Sequence, residues 1–213
     1  MEITYLGHSA FRLRGKDVTI VTDPYPPGIG FTMGKVSADI VTVSHYSPNH
    51  AYVDGVGGDP RVVDGPGEYE VADVLIAGVA TAEQATTGPS NTAYVLRFDD
   101  VATCHLGDLR GKLTDKQVEE LGSLDVLFIP VGGGGPLGPA AAAEVVTQLE
   151  PSIVIPMHYR LNGGGVAGLE MVDLFVREMG SKEFVAEPKL SITKSSLPTE
   201  VRVVVLENRR VQG

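Results

Sequence analysis

Short runs of β-forming residues, separated by turn residues, fill the first half of this chain and constrain its fold more than any other feature. Runs rich in Val, Ile, Thr and aromatic residues, bounded by Gly, Asp or Pro, are typical of β-strands. We predict strands at about 2–6, 10–14, 18–22, 39–44, 61–63, 73–80, 92–98 and 101–105. A sheet built from such strands must bury its apolar face against another layer.

The second half of the chain alternates helical and strand-like patterns. Thr114, followed three residues later by Gln117, predicts a capping box that opens a short helix ending near Leu121. Further elements are predicted as helices at about 139–149 and 167–179, and as strands at about 124–130, 152–157 and 200–207. A β-rich first half and an α/β second half predict an α/β fold in which two packed sheets are flanked by helices.

The composition favours a compact acidic protein. A chain of 213 residues with 43% hydrophobic content can bury one sizeable core, which predicts a single domain over residues 1–213. The net charge of −10 disfavours binding to a nucleic-acid backbone. No apolar run reaches the roughly 18–20 residues that cross a bilayer, and no signal peptide is apparent. The single cysteine is compatible with a reducing cytosol, so we expect a cytoplasmic protein without a membrane partner.

Histidines mark the ends of the predicted strands. All five lie where a strand-like run gives way to a loop: His8, His45, His50, His105 and His158. Strand ends that meet at one sheet edge form a crevice where ligands commonly bind. If the run at 10–14 leaves this edge and the run at 18–22 returns to it, Asp23 finishes at the same end as His8. Asp108, three residues after His105, adds a carboxylate that could bridge two cations.

Imidazole and carboxylate groups are the usual ligands of zinc and similar divalent ions. Two such ions about 3.5–4 Å apart can activate a water and polarise a carbonyl or phosphoryl oxygen. The pattern of histidines and carboxylates therefore predicts a hydrolase site with one or two metal ions.

Several segments resemble those of a known family. Ser44-His45-Tyr46-Ser47-Pro48-Asn49-His50 resembles the HxHxDH signature of metallo-β-lactamase-fold hydrolases, in register with its first and last His. His105-Leu106-Gly107-Asp108 looks like the family's later His and bridging Asp, and Pro156-Met157-His158 looks like its final ligand. Tyr5–Ser9, Thr22–Pro24 and Gly65–Tyr69 resemble the ascorbate-6-phosphate-lactonase-like branch. The resemblance covers almost the whole chain, in the right order.

This resemblance implies a four-layer αβ/βα metallo-β-lactamase-like sandwich with the metal site along one edge between the sheets. Carried over residue by residue, the first metal would use His45, the position of Ser47, and His105. The second metal would use the position of Asn49 with His50 and His158. Asp108 would bridge the two ions.

Two positions depart from the family pattern, so the motif is degenerate. Ser47 has a short neutral hydroxyl that cannot replace an imidazole nitrogen. Asn49 keeps an acceptor oxygen but lacks the negative charge that helps to hold a cation and accept a proton. We place Asn49 with Asp108 as the candidate catalytic residues, and we expect the second site to bind metal better than the first. The expected cofactor is zinc or manganese, as one or two ions of reduced affinity, or no metal at all.

Other residues are candidates for supporting roles, each with a structural alternative. His8, Asp23, Ser47 and Arg160 could orient a metal ligand or contact the substrate. His8 could equally make a structural hydrogen bond in its turn, and Asp23 could fasten the Asp-Pro turn. Arg160 could remain an exposed base without a substrate role.

Two functional hypotheses follow. In the first, a metal-activated water opens an ester, lactone or phosphoester of a small-molecule substrate. In the second, the chain is a non-catalytic module that binds or senses a small molecule and retains the fold without hydrolysis. A nuclease is disfavoured by the acidic charge and the lack of a basic or aromatic track. The substrate and the oligomeric state stay open, and specificity would depend on loops such as 24–35 and 82–91.

Overall fold

The computed structural model describes residues 1–81, 91–160 and 166–208. Its strands are β1 (Glu2–Gly7), β2 (Ala10–Arg14), β3 (Thr19–Thr22), β4 (Val36–Ser37), β5 (Ile40–Thr42), β6 (Val56–Gly57), β7 (Arg61–Val63), β8 (Gly67–Val71), β9 (Val74–Ala80), β10 (Thr92–Phe98), β11 (Val101–His105), β12 (Val126–Pro130), β13 (Ile153–Met157), β14 (Leu190–Ser191) and β15 (Arg202–Val203). The α-helices are α1 (Asp115–Leu121), α2 (Pro139–Leu149) and α3 (Val172–Glu178), and short 3₁₀ turns lie at Val53–Gly55 and Lys194–Ser196. None of the helices in these ranges is long and apolar enough to cross a membrane.

Two mixed sheets form the body of the molecule. The first has the strand order β14-β1-β2-β3-β5-β7, and the second has the order β15-β13-β12-β11-β10-β9-β8. β4 and β6 form a separate parallel pair. Two mixed sheets accompanied by helices are the α/β architecture that the sequence predicts.

The main core lies between the sheets. Phe11 of the first sheet packs against Phe128 of the second with ring centroids 4.4 Å apart, and Tyr5 stacks on Phe11 at 4.9 Å. The same cluster includes apolar residues of all three helices, such as Leu121, Val145 and Phe175. A second, smaller cluster includes Val21, Tyr25 and Phe31 and covers the other side of the first sheet with the segment at 25–56.

Strand direction brings the histidines to one edge. β1 and β2 are antiparallel, as are β2 and β3, while β3, β5 and β7 run parallel, so β1, β3, β5 and β7 all end at the same side of their sheet. In the second sheet β11, β12 and β13 are parallel and end together. The sequence prediction that His8 and Asp23 finish at a common edge is therefore confirmed.

Most of the predicted strands and helices are present, with shifted ends. The helix predicted at 167–179 begins only at Val172, and the last strand covers only Arg202–Val203 instead of 200–207. The sequence analysis missed β4, β6, β8 and β14, of which all but β8 have two residues. Such short pairings depend on tertiary neighbours and leave little periodic signal. The loop predicted at 82–91 lies, apart from Asn91, outside the described residues.

The predicted capping box opens α1. The Thr114 hydroxyl accepts a hydrogen bond from the Gln117 amide at 3.3 Å, and the Gln117 side chain accepts one from the Thr114 amide at 2.8 Å. The Gln117 side chain also donates to the Ala80 carbonyl at 2.9 Å, which ties the start of α1 to β9.

Replacing Thr114 with Ala should lower the free energy of unfolding by about 1 kcal/mol, because it leaves amides at the helix start without an acceptor. Urea denaturation of the purified protein measures this difference. Thr114→Ser keeps the hydroxyl and serves as the control. An unchanged midpoint for Thr114→Ala would mean that the cap does not limit stability.

Candidate metal centre

The candidate metal centre lies where the two sheets end together. The first sheet contributes His8 after β1 and Asp23 after β3, and the loop after β5 adds His45 and His50. The second sheet contributes Asp108, three residues after β11, and His158, directly after β13. All of these side chains except Asp108 are buried residues, and the Asp108 side chain is 13% exposed.

Three imidazoles surround the Asp108 carboxylate. The Nε2 atom of His45 lies 3.5 Å from Asp108 Oδ2, and the Nε2 atoms of His50 and His158 lie 3.5 Å and 3.7 Å from Asp108 Oδ1. Asp108 Oδ1 is buried and has no hydrogen-bond partner among the described residues. The separations are too long for good hydrogen bonds, so the carboxylate and imidazoles face one another across a small gap.

Asp23 organises the first-sheet side of the centre. Its fully buried carboxylate accepts hydrogen bonds from the Ser44 amide at 2.7 Å, the Ser44 hydroxyl at 2.5 Å and His50 Nδ1 at 2.9 Å. Burial opposes ionisation of Asp23, but the neighbouring His105, His50 and Ser44 outweigh it and lower its pKa to about 2. Asp23 is therefore a charged acceptor at neutral pH.

These hydrogen bonds fix which imidazole nitrogen carries a lone pair. Because Asp23 accepts from His50 Nδ1, the lone pair of neutral His50 is on Nε2, which faces Asp108. Ser44 has one hydroxyl hydrogen and donates it to Asp23, so it must accept from His45 Nδ1 at 3.0 Å. The lone pair of His45 is then also on Nε2, towards Asp108.

Burial governs the protonation of most of the histidines. Together with repulsion from His158 and His50, it lowers the pKa of His8 to about 2. Burial also lowers the pKa of His45, His105 and His158. For His50 burial acts in the same direction, but the hydrogen bond to Asp23 and the charges of Asp23 and Asp108 raise its pKa overall.

The hydrogen bonds of His105 argue against its predicted role as a metal ligand. Its Nε2 donates to the Ser9 carbonyl at 2.8 Å, and its Nδ1 accepts from the Gly107 amide at 3.2 Å. Both ring nitrogens are therefore occupied by the backbone. His105 fastens the turn between β1 and β2 to the second sheet, and its spacing from Asp108 could not distinguish this role from ligation.

His8 lies against two other imidazoles of the cluster. Its ring centroid is 4.5 Å from that of His158 and 4.9 Å from that of His50. The nitrogens that these three residues could offer to a metal all lie within 4.8 Å of one another. Asp23, His45 and His50 form a second group of this kind, although both Asp23 oxygens already accept hydrogen bonds.

Three of the predicted site residues lie at the margin of the histidine and carboxylate cluster: Ser47, Asn49 and Arg160. Ser47 and Asn49 are half-buried in the turn between His45 and His50, where the His50 amide donates to the Ser47 carbonyl at 3.0 Å. Within the described ranges, neither the Ser47 hydroxyl nor the Asn49 amide makes a side-chain hydrogen bond to the cluster. Arg160 is exposed, and its amide donates to the Glu170 carbonyl at 2.8 Å.

Sequence reasoning missed Ser44 and Asn91. Asn91 Oδ1 accepts from the Asp108 amide at 2.8 Å, and its Nδ2 donates to the Leu106 carbonyl at 2.9 Å, which holds the turn that carries Asp108. A Cβ atom at Gly107 would lie 2.4 Å from Asn91 Oδ1 and 2.5 Å from Ser44 Cβ, so only glycine fits there. Nothing in the sequence around Asn91 indicates this contact, because its partner lies 17 residues away.

The residues present fit a divalent metal ion. Donor atoms about 2.0–2.1 Å from a tetrahedral zinc ion lie about 3.3–3.4 Å from one another. The Asp108 carboxylate lies 3.5–3.7 Å from three Nε2 atoms, and the nitrogens of His8, His50 and His158, a group that does not include Asp108, lie within 4.8 Å of one another. The Asp108 Oδ1 atom, without a hydrogen-bond partner among the described residues, and the imidazoles in their unprotonated form supply the charge and lone pairs that such an ion requires.

An α/β sandwich with a histidine and carboxylate cluster at the shared edge of its sheets defines a class of metal-binding proteins. A family model described as the beta-lactamase superfamily domain matches residues 2–158. The chain belongs to this metallo-β-lactamase superfamily.

Curated relatives match this chain over most of their own length. A UPF0173 metal-dependent hydrolase of Pelotomaculum thermopropionicum is 29% identical, with 75% of this chain and 84% of that protein covered. A UPF0173 metal-dependent hydrolase of Methanopyrus kandleri is 26% identical over the same shares of the two chains.

Solved structures show the same fold. A Thermotoga maritima protein of the metallo-β-lactamase superfamily is 38% identical, with a TM-score of 0.80 and coverage of 97% of this chain and 99% of that chain. A metallo hydrolase from Ignicoccus hospitalis is 22% identical, with a TM-score of 0.65 and coverage of 90% and 99%. The second likeness bears on the fold alone.

Metal-free protein should lose stability as the pH falls below about 6.5. A histidine whose pKa is lowered in the folded state stabilises the fold fully above its unfolded value of about 6.5, and this contribution is lost as the pH falls towards the folded value. His8, His45, His105 and His158 act in this direction, and only His50 opposes them. For Asp23 the corresponding loss lies between its ordinary pKa of 3.8 and about 2.

Urea denaturation of chelator-treated protein between pH 7.5 and pH 4.5 measures this dependence. Each such histidine contributes a slope of about 1.4 kcal/mol per pH unit within its window. His8→Asn removes one of them and should show a shallower loss than the unchanged chain. Equal slopes for the two proteins would mean that His8 is not held neutral by the fold.

Proposed function

We propose that this protein is a metal-dependent hydrolase with one principal metal ion, acting on an ester, lactone or phosphoester of a small molecule. Its relatives named as metal-dependent hydrolases support this class. The observation that carries the proposal is the set of three Nε2 atoms 3.5–3.7 Å from the Asp108 carboxylate.

In this proposal His50, His158 and Asp108 hold the principal ion, which would be zinc or manganese. A divalent ion bound there supplies a water of lowered pKa and polarises an oxygen of the scissile bond. Asp23 orients His50 through the 2.9 Å hydrogen bond to Nδ1 and so keeps its lone pair towards the ion.

His45 and Asp108 provide the proton chemistry. His45 Nε2 faces Asp108 Oδ2 at 3.5 Å and has no place in a complete second metal site, because Ser47 offers no imidazole and both nitrogens of His105 are occupied. With an ion bound, His45 Nε2 would accept a hydrogen bond from the water and position it, and Asp108 Oδ2 would be the acceptor for the proton that the water releases. Asn49, uncharged and half-buried, can accept a hydrogen bond but cannot take up that proton.

Hydrogen bonds between the two sheets fix the relative positions of the site residues. Hydrogen bonds join the two sheets at this edge, among them those from the His158 amide to the His8 carbonyl at 2.8 Å, from the Thr92 amide to the Ser44 carbonyl at 2.8 Å, from the Tyr94 hydroxyl to the Val43 carbonyl at 3.1 Å, and from His105 to Ser9. Donors held on opposite sheets thus keep their spacing, as efficient catalysis requires.

His158→Ala should abolish most metal binding and hydrolysis. It removes one of the three donors to the principal ion. Metal affinity should therefore fall by at least roughly 100-fold, which is more than the usual effect of losing a residue that only hydrogen-bonds to a metal ligand. Elemental analysis after dialysis gives metal per chain, and generic carboxylic and phosphate esters test turnover. Lys116→Ala, at an exposed position, is the control. Normal metal content and normal hydrolysis in His158→Ala would refute the assignment of the site.

Restoring the two donor side chains of the family motif tests whether their replacement lowers the metal affinity of the site. Ser47→His combined with Asn49→Asp should raise metal affinity roughly tenfold or more and increase ester hydrolysis, because it adds a lone pair and a negative charge beside His45. Ser47→Ala with Asn49→Ala is the matched control and should stay near the unchanged chain. If the restored variant gains no metal, the loss of donors is not what limits the site.

A further inference from the structure

His8 occupies a strained and fastened turn beside the proposed metal site. Its backbone is left-handed, with φ of 53°, and so is that of His158, with φ of 52°. The His8 carbonyl accepts hydrogen bonds from the Tyr5 hydroxyl at 2.7 Å and from the His158 amide at 2.8 Å. The turns that carry His8 and His158 are therefore fixed to each other, although they belong to different sheets.

The His8 imidazole is buried without a partner for one of its nitrogens. The residue is 2% exposed, and Nδ1 has no hydrogen-bond partner within the described part of the chain. An unsatisfied buried polar nitrogen destabilises the fold, and so does a non-glycine residue in this backbone conformation. Packing alone does not explain an imidazole here, since its ring faces two other imidazoles.

His8 lies where it could supply the fourth donor to the proposed ion. His50 and His158 face Asp108 through Nε2, and the resemblance to the family motif leaves Asn49 as an uncharged donor at the fourth position. Asn49 is half-buried in its turn, whereas a nitrogen of His8 lies within 4.8 Å of the nitrogens of His50 and His158.

We propose that His8 is the third imidazole of the metal centre, so that His8, His50, His158 and Asp108 together hold one divalent transition-metal ion. This inference rests on the proposed function and adds a ligand from the turn between β1 and β2. Three imidazoles and one carboxylate are a donor set that suits zinc and its transition-metal neighbours better than magnesium or calcium.

The test compares metal binding by the full chain and by His8→Asn. Asparagine tolerates left-handed backbone better than most residues, so this variant keeps the turn while removing the imidazole. Tyr5→Phe is the matched control, because it removes the hydrogen bond to the His8 carbonyl and leaves every proposed donor in place. Near-ultraviolet circular dichroism of the metal-free proteins checks that all three are folded.

Two measurements test whether His8 is a metal ligand without the need for an activity assay. Competition with a chelating dye gives the affinity for Zn²⁺, and the visible absorption of the Co²⁺-loaded protein reports the donors around the ion. We expect one Zn²⁺ per chain, a loss of affinity of at least roughly 100-fold in His8→Asn, and a changed Co²⁺ spectrum in that variant alone.

The possible failures are distinguishable. If the unchanged chain binds metal and folded His8→Asn binds it equally well with the same Co²⁺ spectrum, His8 is not a ligand and the proposed function stands. If Tyr5→Phe weakens Zn²⁺ binding as much as His8→Asn and the Co²⁺ spectrum stays the same, His8 acts through the turn and its assignment as a ligand is overturned. If the unchanged chain binds neither Zn²⁺, Mn²⁺ nor Co²⁺, both proposals fall.

Discussion

The carboxylate of Asp23 lies fully buried at the end of β3, and the arrangement of the metal centre depends on how its charge is satisfied. An unpaired buried carboxylate would be very costly, so the chain surrounds it with donors from Ser44 and His50. These donors in turn direct the lone pairs of His45 and His50 towards Asp108. The buried charge of Asp23, at the end of a strand in the first sheet, thus fixes the orientation of the imidazoles that face the second sheet.

The sandwich allows such a polar cluster because its apolar core and its polar edge are spatially separate. Aromatic rings such as Phe11 and Phe128 fill the space between the sheets, and the cluster lies where the strands end. Backbone hydrogen bonds across this edge, among them that from the His158 amide to the His8 carbonyl, hold the two sheets in register. Left-handed backbone at His8, Asp23 and His158 shows that the chain accepts local strain where these side chains are delivered.

Relatives described as metal-dependent hydrolases and the cluster around Asp108 point to the same class of chemistry. Compared with the HxHxDH signature that the sequence resembles, this chain has Ser47 and Asn49 at two of the positions, in a cluster that presents closely spaced imidazole nitrogens. In our proposal the site holds one principal ion. His105, which looks like a ligand in the linear motif, serves the fold, and His8, which looks like a turn residue, faces the proposed ion.

The sequence by itself determined the α/β sandwich, the strand ends that carry the histidines, and the capping box of α1. Their signals are local, since hydrophobic alternation, turn residues and a Thr–Gln pair act over a few positions. Only the tertiary structure decided which imidazole nitrogens are free. His105 and His8 both lie at the end of a strand, but backbone groups of Ser9 and Gly107 occupy the nitrogens of His105. Among the residues that the structure describes, Nδ1 of His8 has no hydrogen-bond partner. Lone-pair availability depends on partners that are up to 96 residues apart in sequence, and no spacing within a motif can encode it.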